Sequence, residues 1–416
     1  MKSTSTNALA REKREYQPPV LVAFLLLLMG TSVSLHQFKV PPLMDAIANE
    51  LGFSAAAAPW LMSVFTLVCL VFAAPASLLI QRMRMKWVML LSGAVVVAGS
   101  VLGAISPNGA FLLVSRSMEG FGFLLMSVAI PVAAAMYSTP SKIGLVMGIC
   151  GVWISTGQIL AFNTAPALFI HTGWRSVWWG YALFVVAALV ILLFGFHSWD
   201  AAPSPRAAQA ENIRLRDAVK NKNLLFPSVG FLVYNFSLMA VVTFFPGYAT
   251  GSGLLSLRQA SFVASLPMIF CLIGSPVLGR LTDRFGHKWL YALSLLCGGA
   301  GATLMFSKSV PLIVAGAAIL GLIGAATPSL MFSSLGKLVP SMDWLAPSNG
   351  VAVLFQNAGM FLASLSFGYL VKAAGGNYTL SAMILLPLTA VSVILVFFTR
   401  YKEPEQEPKQ AKESAL

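Results

Sequence analysis

The chain is a succession of long apolar segments separated by short polar ones. A helix needs about 20 apolar residues to cross a hydrocarbon core roughly 30 Å thick. Within lipid, only helices and closed barrels satisfy their own backbone polar groups. Barrel strands alternate in hydrophobicity, whereas these segments are apolar on all sides. The pattern predicts twelve spanning helices, spans 1 to 12, over residues 20–47, 55–80, 87–106, 109–137, 142–170, 175–197, 222–250, 257–281, 288–307, 311–338, 345–373 and 378–400.

One long polar connection divides the spans into two sets of six. We therefore predict a first helical bundle over residues 20–197, a linker over 198–221 and a second bundle over 222–400. Part of the linker, residues 209–220, can form a surface helix. Polar tails cover residues 1–19 and 401–416. The fold class is an all-α polytopic membrane protein with two pseudo-symmetric six-helix bundles.

Composition supports this interpretation, because 57% of the residues are hydrophobic and only 10% are charged. Soluble domains usually carry about 25% charged residues. The net charge of +13 does not indicate nucleic-acid binding, since the basic residues lie in short loops between apolar runs. The four cysteines lie within apolar runs and lack metal-ligand spacing. We therefore expect no metal, no cofactor and no enzymatic activity.

The distribution of Lys and Arg predicts the orientation. If the N-terminus is cytoplasmic, 21 of these residues fall in inner segments and four in outer segments or at outer helix ends, with two more inside spans. We expect a multi-pass protein of the inner (plasma) membrane with both termini in the cytoplasm. A monomer is the default, because two halves already enclose a substrate site.

The two halves match at an offset of 202 residues. Arg82 corresponds to Arg284, and the neighbouring Lys86 and Trp87 correspond to Lys288 and Trp289. Two parallel copies of six helices are related by a pseudo-twofold axis along the membrane normal. A substrate is therefore expected between the halves.

Residues 279–288 read GRLTDRFGHK and follow span 8. This stretch resembles the inner-loop signature of the major facilitator superfamily, roughly G-x-x-x-D-R-x-G-x-[RK], and the likeness to the family extends over about residues 16–402. The first copy, after span 2, is eroded. The resemblance implies alternating access. It also implies a gating role for the loop residues; the alternative is that their charges only set the topology. These residues are Gly279, Asp283, Arg284, Gly286, Lys288 and, in the first copy, Arg82.

Charges inside spans are costly and usually face a cavity or a partner. Arg116 and Glu119 are three residues apart on span 4, so they share a helix face. One interpretation is an ion pair that orients the helix. The other is that Arg116 binds substrate charge, while Glu119 orients Arg116 or carries a proton.

Lys39 lies about 28 Å along span 1, followed by Pro41-Pro42. It can snorkel to the outer interface or face a cavity at a break in the helix. His36 can sense pH or be a hydrogen-bonded structural residue. Two cations and one anion inside the spans leave a net positive site, which favours an anionic substrate.

Neutral polar side chains in other spans can complete such a site, although each alone is more often a contact between helices. As a set, the neutral polar groups of spans 5, 7, 10 and 11 would form a hydrogen-bonding wall opposite the cations. The candidates are Gln37, Trp153, Gln158, Tyr234, Asn235, Gln356 and Asn357.

Within the superfamily, the segment Gln37 to Pro42, the Glu119-Gly120 pair and the tryptophans around 174–179 are most similar to the cyanate/nitrate-permease-like branch. Our leading hypothesis is a secondary transporter of a small organic or inorganic anion. It can be proton-coupled, an exchanger or a facilitator. Alternatives are proton-coupled efflux of amphipathic, drug-like compounds, and a receptor or scaffold that does not transport. Expected partners are a small anion, the bilayer and protons, with no nucleic acid.

Overall fold

The computed structural model describes residues 18–54, 57–138, 141–195, 215–339 and 344–401, which form helices and turns without β-strand. Of the predicted tails, only residues 18–19 and 401 belong to this part. Linker residues 198–214 lie outside it. Of the predicted linker helix, Leu215–Lys220 is helical. The first six spans comprise Pro19–Phe38 with Pro41–Leu43 and Met44–Leu51, Trp60–Arg82, Met85–Ala104, Gly109–Tyr137, Ile143–Cys150 with Trp153–Thr172, and Trp174–Gly195.

The second six spans follow the linker. They comprise Lys222–Gly251, Leu257–Phe285, His287–Leu304, Val310–Leu322 with Gly324–Ala326 and Thr327–Leu338, Leu345–Ala373, and Tyr378–Ala382 with Leu385–Phe397. Ten spans in the described residues are long and apolar enough to cross a membrane. The other two are Trp60–Arg82, whose apolar part is Trp60–Ala73, and His287–Leu304. The prediction of a twelve-helix, all-α membrane protein is confirmed.

Span 1 is broken at the predicted place. Its first helix ends at Phe38, and a 3₁₀ turn over Pro41–Leu43 leads into Met44–Leu51. Proline has no backbone N–H and clashes with the preceding turn of a helix, so two consecutive prolines end the α-helical ladder. The break leaves carbonyls at the end of the first helix without helical donors.

The membrane side on which span 1 begins is called the tail side here, and the opposite side the far side. One buried core cluster contains residues of both halves, and near the far side it includes Leu43 and Ile47 of span 1 together with Phe245 and Tyr248 of span 7. The first half has a second core nearer the tail side, whose described members all belong to spans 1 to 6.

Individual contacts between the halves also lie toward the far side. The Asn163 amide of span 5 donates to Ser265 Oγ of span 8 at 3.2 Å. Gly247 of span 7 lies against the Asp45 carboxylate, and Gly368 of span 11 lies against Pro59. The structure therefore holds the two halves together on the far side.

Candidate functional site

Four ionisable side chains from spans 1 and 4 meet inside the first half, and we call them the charge cluster: His36, Lys39, Arg116 and Glu119. Lys39 Nζ lies 2.6 Å from Glu119 Oε1, and Arg116 Nη1 donates to Glu119 Oε2. His36 Nδ1 lies 3.2 Å from Glu119 Oε1 and 3.1 Å from Lys39 Nζ. All four side chains are fully buried.

Arg116 is anchored by backbone as well as by charge. Its Nη1 donates to the His36 carbonyl at 2.6 Å, and its Nε donates to the Leu61 carbonyl at 3.0 Å. His36 lies in the last turn of the first helix of span 1, where the break frees carbonyls. The guanidinium carbon lies 4.7 Å from the centre of the Phe65 ring. Arg116 thus fastens spans 1, 2 and 4 together.

Spans 3 and 6 enclose Lys39 from the other side. Lys39 Nζ donates to Ser100 Oγ at 3.1 Å, and Ser100 Oγ donates to the Trp178 carbonyl at 2.8 Å. The ammonium lies 4.1 Å from the centre of the Trp178 ring, and the ring of Tyr181 meets His36 edge-on at 6.0 Å. A cation over an aromatic face is stabilised by the ring quadrupole. The lysine therefore has an ordered, solvent-free position.

The charges of this cluster do not balance. Two basic side chains surround one carboxylate, so the cluster carries one excess positive charge when Lys39 is protonated and His36 is neutral. Two of its nitrogens, Arg116 Nη2 and His36 Nε2, are buried without a hydrogen-bond partner in the described part of the chain. Buried polar atoms usually have partners. An anion would supply the missing negative charge and an acceptor for Arg116 Nη2, and also for His36 Nε2 in the tautomer whose Nδ1 accepts from Lys39.

The geometry of the charge cluster bears on three of the alternatives that the sequence left open. The Arg116–Glu119 ion pair is formed, as the orienting interpretation requires. Lys39 does not snorkel, because its ammonium is buried against Glu119. His36 is a hydrogen-bonded residue whose Nδ1 can accept from Lys39 or donate to Glu119, but not both at once.

The other candidates of the first half lie apart from these contacts. Trp153 is buried and packs on Phe123, with ring centres 5.1 Å apart, and on Gly30. Gln37 and Gln158 are each 2% exposed. Gln158 Nε2 has no partner among the described residues, so this amide is available to a polar ligand.

Two candidates of the second half are buried and two are half-buried. Tyr234 is buried and faces Gly298 of span 9, and Asn235 is buried near Gly359 of span 11. The Asn235 amide donates to the Phe231 carbonyl of its own helix. Gln356 and Asn357 are half-buried, and Asn357 also donates within its helix. The proposed wall therefore remains a prediction.

The loop between spans 8 and 9 has a defined backbone. Gly286 adopts a φ of +79°, which favours glycine, and its N–H donates to the Thr282 carbonyl at 2.9 Å. Lys288 Nζ donates to the carbonyls of Phe397 and Thr399 at the end of span 12. The Arg284 guanidinium is exposed. The side chains of Asp283 and Arg82 lie outside the described part, and Gly279 is a helical residue with open space beside it.

Sequence reasoning did not select Ser100 or Tyr181, and used Trp178 only as part of a resemblance. Serine in an apolar helix is too common to mark a site. The one available signal was the cost of burying Lys39 and Arg116, which requires partners but does not say which spans supply them.

The architecture resembles that of a solved membrane protein. A bacterial homolog of the human lysosomal transporter Spinster, crystallised in an inward-facing and occupied conformation, superposes with a TM-score of 0.75 at 13% identity. The superposition covers 93% of this chain and all of that one. At this identity the likeness concerns the fold alone.

Two curated relatives illustrate the sequence similarity. The uncharacterized MFS-type transporter YbcL of Bacillus subtilis is 23% identical over 267 residues, which are 64% of this chain and 66%, slightly less than two thirds, of YbcL. The probable nitrate transporter NarT of Staphylococcus epidermidis is 21% identical over 369 residues, 88% of this chain and 92% of NarT.

The family model described as Major Facilitator Superfamily matches residues 20–258 and 230–415. Together these matches cover nearly the whole chain, including both sets of six spans, the linker between them and the loop after span 8. The chain belongs to the major facilitator superfamily.

Proposed function

We propose that this chain is a secondary transporter that moves a small anion across the plasma membrane by alternating access. The observation that carries the proposal is the excess positive charge of the buried charge cluster, together with the unpartnered Arg116 Nη2. Buried charge is costly unless paired. A protein that retains an unbalanced cation pair in its interior gains most when an anion completes it.

The chemistry of the donors favours a small, planar oxyanion. A guanidinium presents its N–H groups in one plane and matches carboxylate-like acceptors in pairs. The likeness to NarT, which is named as a probable nitrate transporter, extends over most of both chains and supports the same class. Nitrate and formate are accordingly the first anions to test.

Alternating access requires the contacts between the halves to part on one side and form on the other. In the proposed cycle the present structure is the state that is closed on the far side, with the tail side facing the cytoplasm. The loop from Gly279 to Lys288 would form gating contacts in one of the two states, with Arg82 in the corresponding loop of the first half.

Coupling to protons would involve Glu119 or His36. Both oxygens of Glu119 are engaged by cations in this structure. A proton-carrying role therefore requires the ion pairs to part first, during the same movement that admits the anion. Exchange of one anion for another needs no such proton.

The direct test is an uptake panel in proteoliposomes that contain the purified chain. Labelled nitrate and formate represent the proposed class, and a lipophilic cation represents efflux substrates. We expect anion uptake above that of protein-free liposomes, unchanged in an Arg175→Gln control, whose guanidinium pairs with Glu50 away from the cluster. Uptake of the cation without any anion uptake would favour amphipathic efflux, and no uptake of either would favour a non-transporting role.

A further inference from the structure

We infer that Glu119 is a built-in occupant of the anion site: its carboxylate pairs with Lys39 and Arg116 while no substrate is bound, and the incoming anion displaces it. This inference rests on the proposed function and adds to it a role for the one acidic residue of the charge cluster. Glu119 then competes with the substrate instead of binding it.

The geometry of Glu119 is that of a bound oxyanion. One carboxylate oxygen lies 2.6 Å from Lys39 Nζ and the other accepts from Arg116 Nη1. A free carboxylate or nitrate bridging the two cations would use its oxygens in the same way. Because Glu119 is three residues from Arg116 on one helix, its carboxylate can pair with the guanidinium whenever no anion is bound.

The cations have further anchors that do not depend on Glu119. Arg116 keeps its bonds to the carbonyls of His36 and Leu61 if the carboxylate leaves. Lys39 keeps Ser100 Oγ and the face of Trp178. The cationic half of the site therefore stays in place, and the carboxylate is the part that can be exchanged.

The unpartnered nitrogens indicate that Glu119 fills the site incompletely. Arg116 Nη2 is buried in the cluster without an acceptor among the described residues, and so is His36 Nε2 in the tautomer whose Nδ1 accepts from Lys39. A nitrate ion has a third oxygen. Unlike the Glu119 carboxylate, a free anion is not held at a fixed distance from a helix by its side chain. An external anion can thus satisfy donors that Glu119 leaves unsatisfied.

The test compares the thermal stability of the purified full-length chain with that of Glu119→Gln in detergent, in sodium gluconate and in sodium nitrate of equal ionic strength. Without a small anion the variant leaves two cations uncompensated, so its Tm in gluconate falls below that of the original chain. Nitrate raises the Tm of the variant saturably, by mass action on an emptied site, and raises that of the original chain less.

Two further variants serve as controls. Glu50→Gln removes a carboxylate that accepts from Trp174 and Arg175 at the far-side surface, so its Tm does not gain a response to nitrate. The double variant Lys39→Gln with Glu119→Gln has only one cation, so its response to nitrate is smaller than that of Glu119→Gln alone.

If Glu119→Gln does not fold, Glu119→Asp decides the matter. Aspartate keeps the charge but is one methylene shorter, so it is a poorer competitor, and nitrate then binds several-fold more tightly than to the original chain. The inference is overturned if nitrate does not restore the Tm that Glu119→Gln loses. It is also overturned if Glu119→Asp binds nitrate no more tightly than the original chain does. In either case Glu119 has a structural role only. Absence of anion uptake by the unsubstituted chain instead overturns the proposed function.

Discussion

Arg116 connects the charge cluster to the backbone of two other spans. It donates to backbone carbonyls of spans 1 and 2 and pairs with Glu119 on its own helix. Residue-level reasoning identified it because a charge within a span is costly. Its backbone partners were not predictable, since carbonyls carry no sequence signal and the contact depends on how three helices pack.

Replacing Arg116 by lysine is expected to destabilise the protein although the charge is kept. Lysine has one donor group and cannot reach two carbonyls and a carboxylate in the same plane. Removing one partner of a buried ion pair costs about 3–5 kcal/mol of stability. We expect Arg116→Lys to lose a large part of that stability. The Tm of the purified variant measures the effect.

Arg175→Lys is the matched control. Arg175 pairs with Glu50 where both side chains are partly exposed, 39% and 48%, and such pairs contribute about 0–1 kcal/mol. Equal Tm losses for the two variants would show that Arg116 does not fasten the first half as described.

At the level of elements, hydropathy located the spans but not their internal breaks. The break in span 1 was predicted because Pro41-Pro42 removes backbone donors. Those in span 5, between Cys150 and Trp153, in span 10, at Gly324–Ala326, and in span 12, between Ala382 and Leu385, were not. Gly151 and Gly324 lie at two of these breaks, but glycine also occurs inside the unbroken helices of spans 3 and 4, so its presence did not distinguish a break.

The two glycines of the loop motif are expected to differ in their tolerance of alanine. Gly286 joins spans 8 and 9 with a φ of +79°, so Gly286→Ala places a side chain in a strained backbone conformation. We expect a loss of about 1–3 kcal/mol in stability, seen as a lower Tm. Gly279→Ala should not lower the Tm, because the glycine is helical and no atom lies within 4 Å of an added Cβ.

Measuring both Tm and transport for these two variants distinguishes a role in folding from a role in gating. If Gly279→Ala preserves the Tm but slows transport, Gly279 is required in a state other than the present one. If Gly286→Ala melts at the same temperature as the unsubstituted chain, the positive φ does not constrain this loop.

For the whole molecule, the two halves share a fold but not a charge distribution. At the offset of 202, Lys39, Arg116 and Glu119 correspond to Val241, Ala318 and Gly321. The sequence could therefore predict that the charged site belongs to the first half. It could not predict which side of the membrane is closed, because one sequence must support every state of the cycle.

Closure on the far side predicts an inhibitory cross-link. The Asp45 carboxyl carbon lies 3.9 Å from the position that a Cβ would take at Gly247, on the opposite half. In a chain whose four native cysteines are replaced by serine, Asp45→Cys with Gly247→Cys should form a disulfide under oxidation and stop uptake. A reductant should restore it. Each single variant is the control, and a cross-linked double variant that still transports would contradict the assignment of these residues to a closing contact.

The central claim is that the excess cation of the charge cluster selects a small anion. Counterflow of labelled nitrate in proteoliposomes preloaded with unlabelled nitrate tests this claim, because counterflow needs no imposed ion gradient. We predict that Lys39→Gln, which removes the excess charge, raises the KM for nitrate strongly, and that Lys39→Arg, which keeps the charge, retains more of the affinity. Counterflow with the same KM in the unsubstituted chain and in Lys39→Gln would contradict the claim.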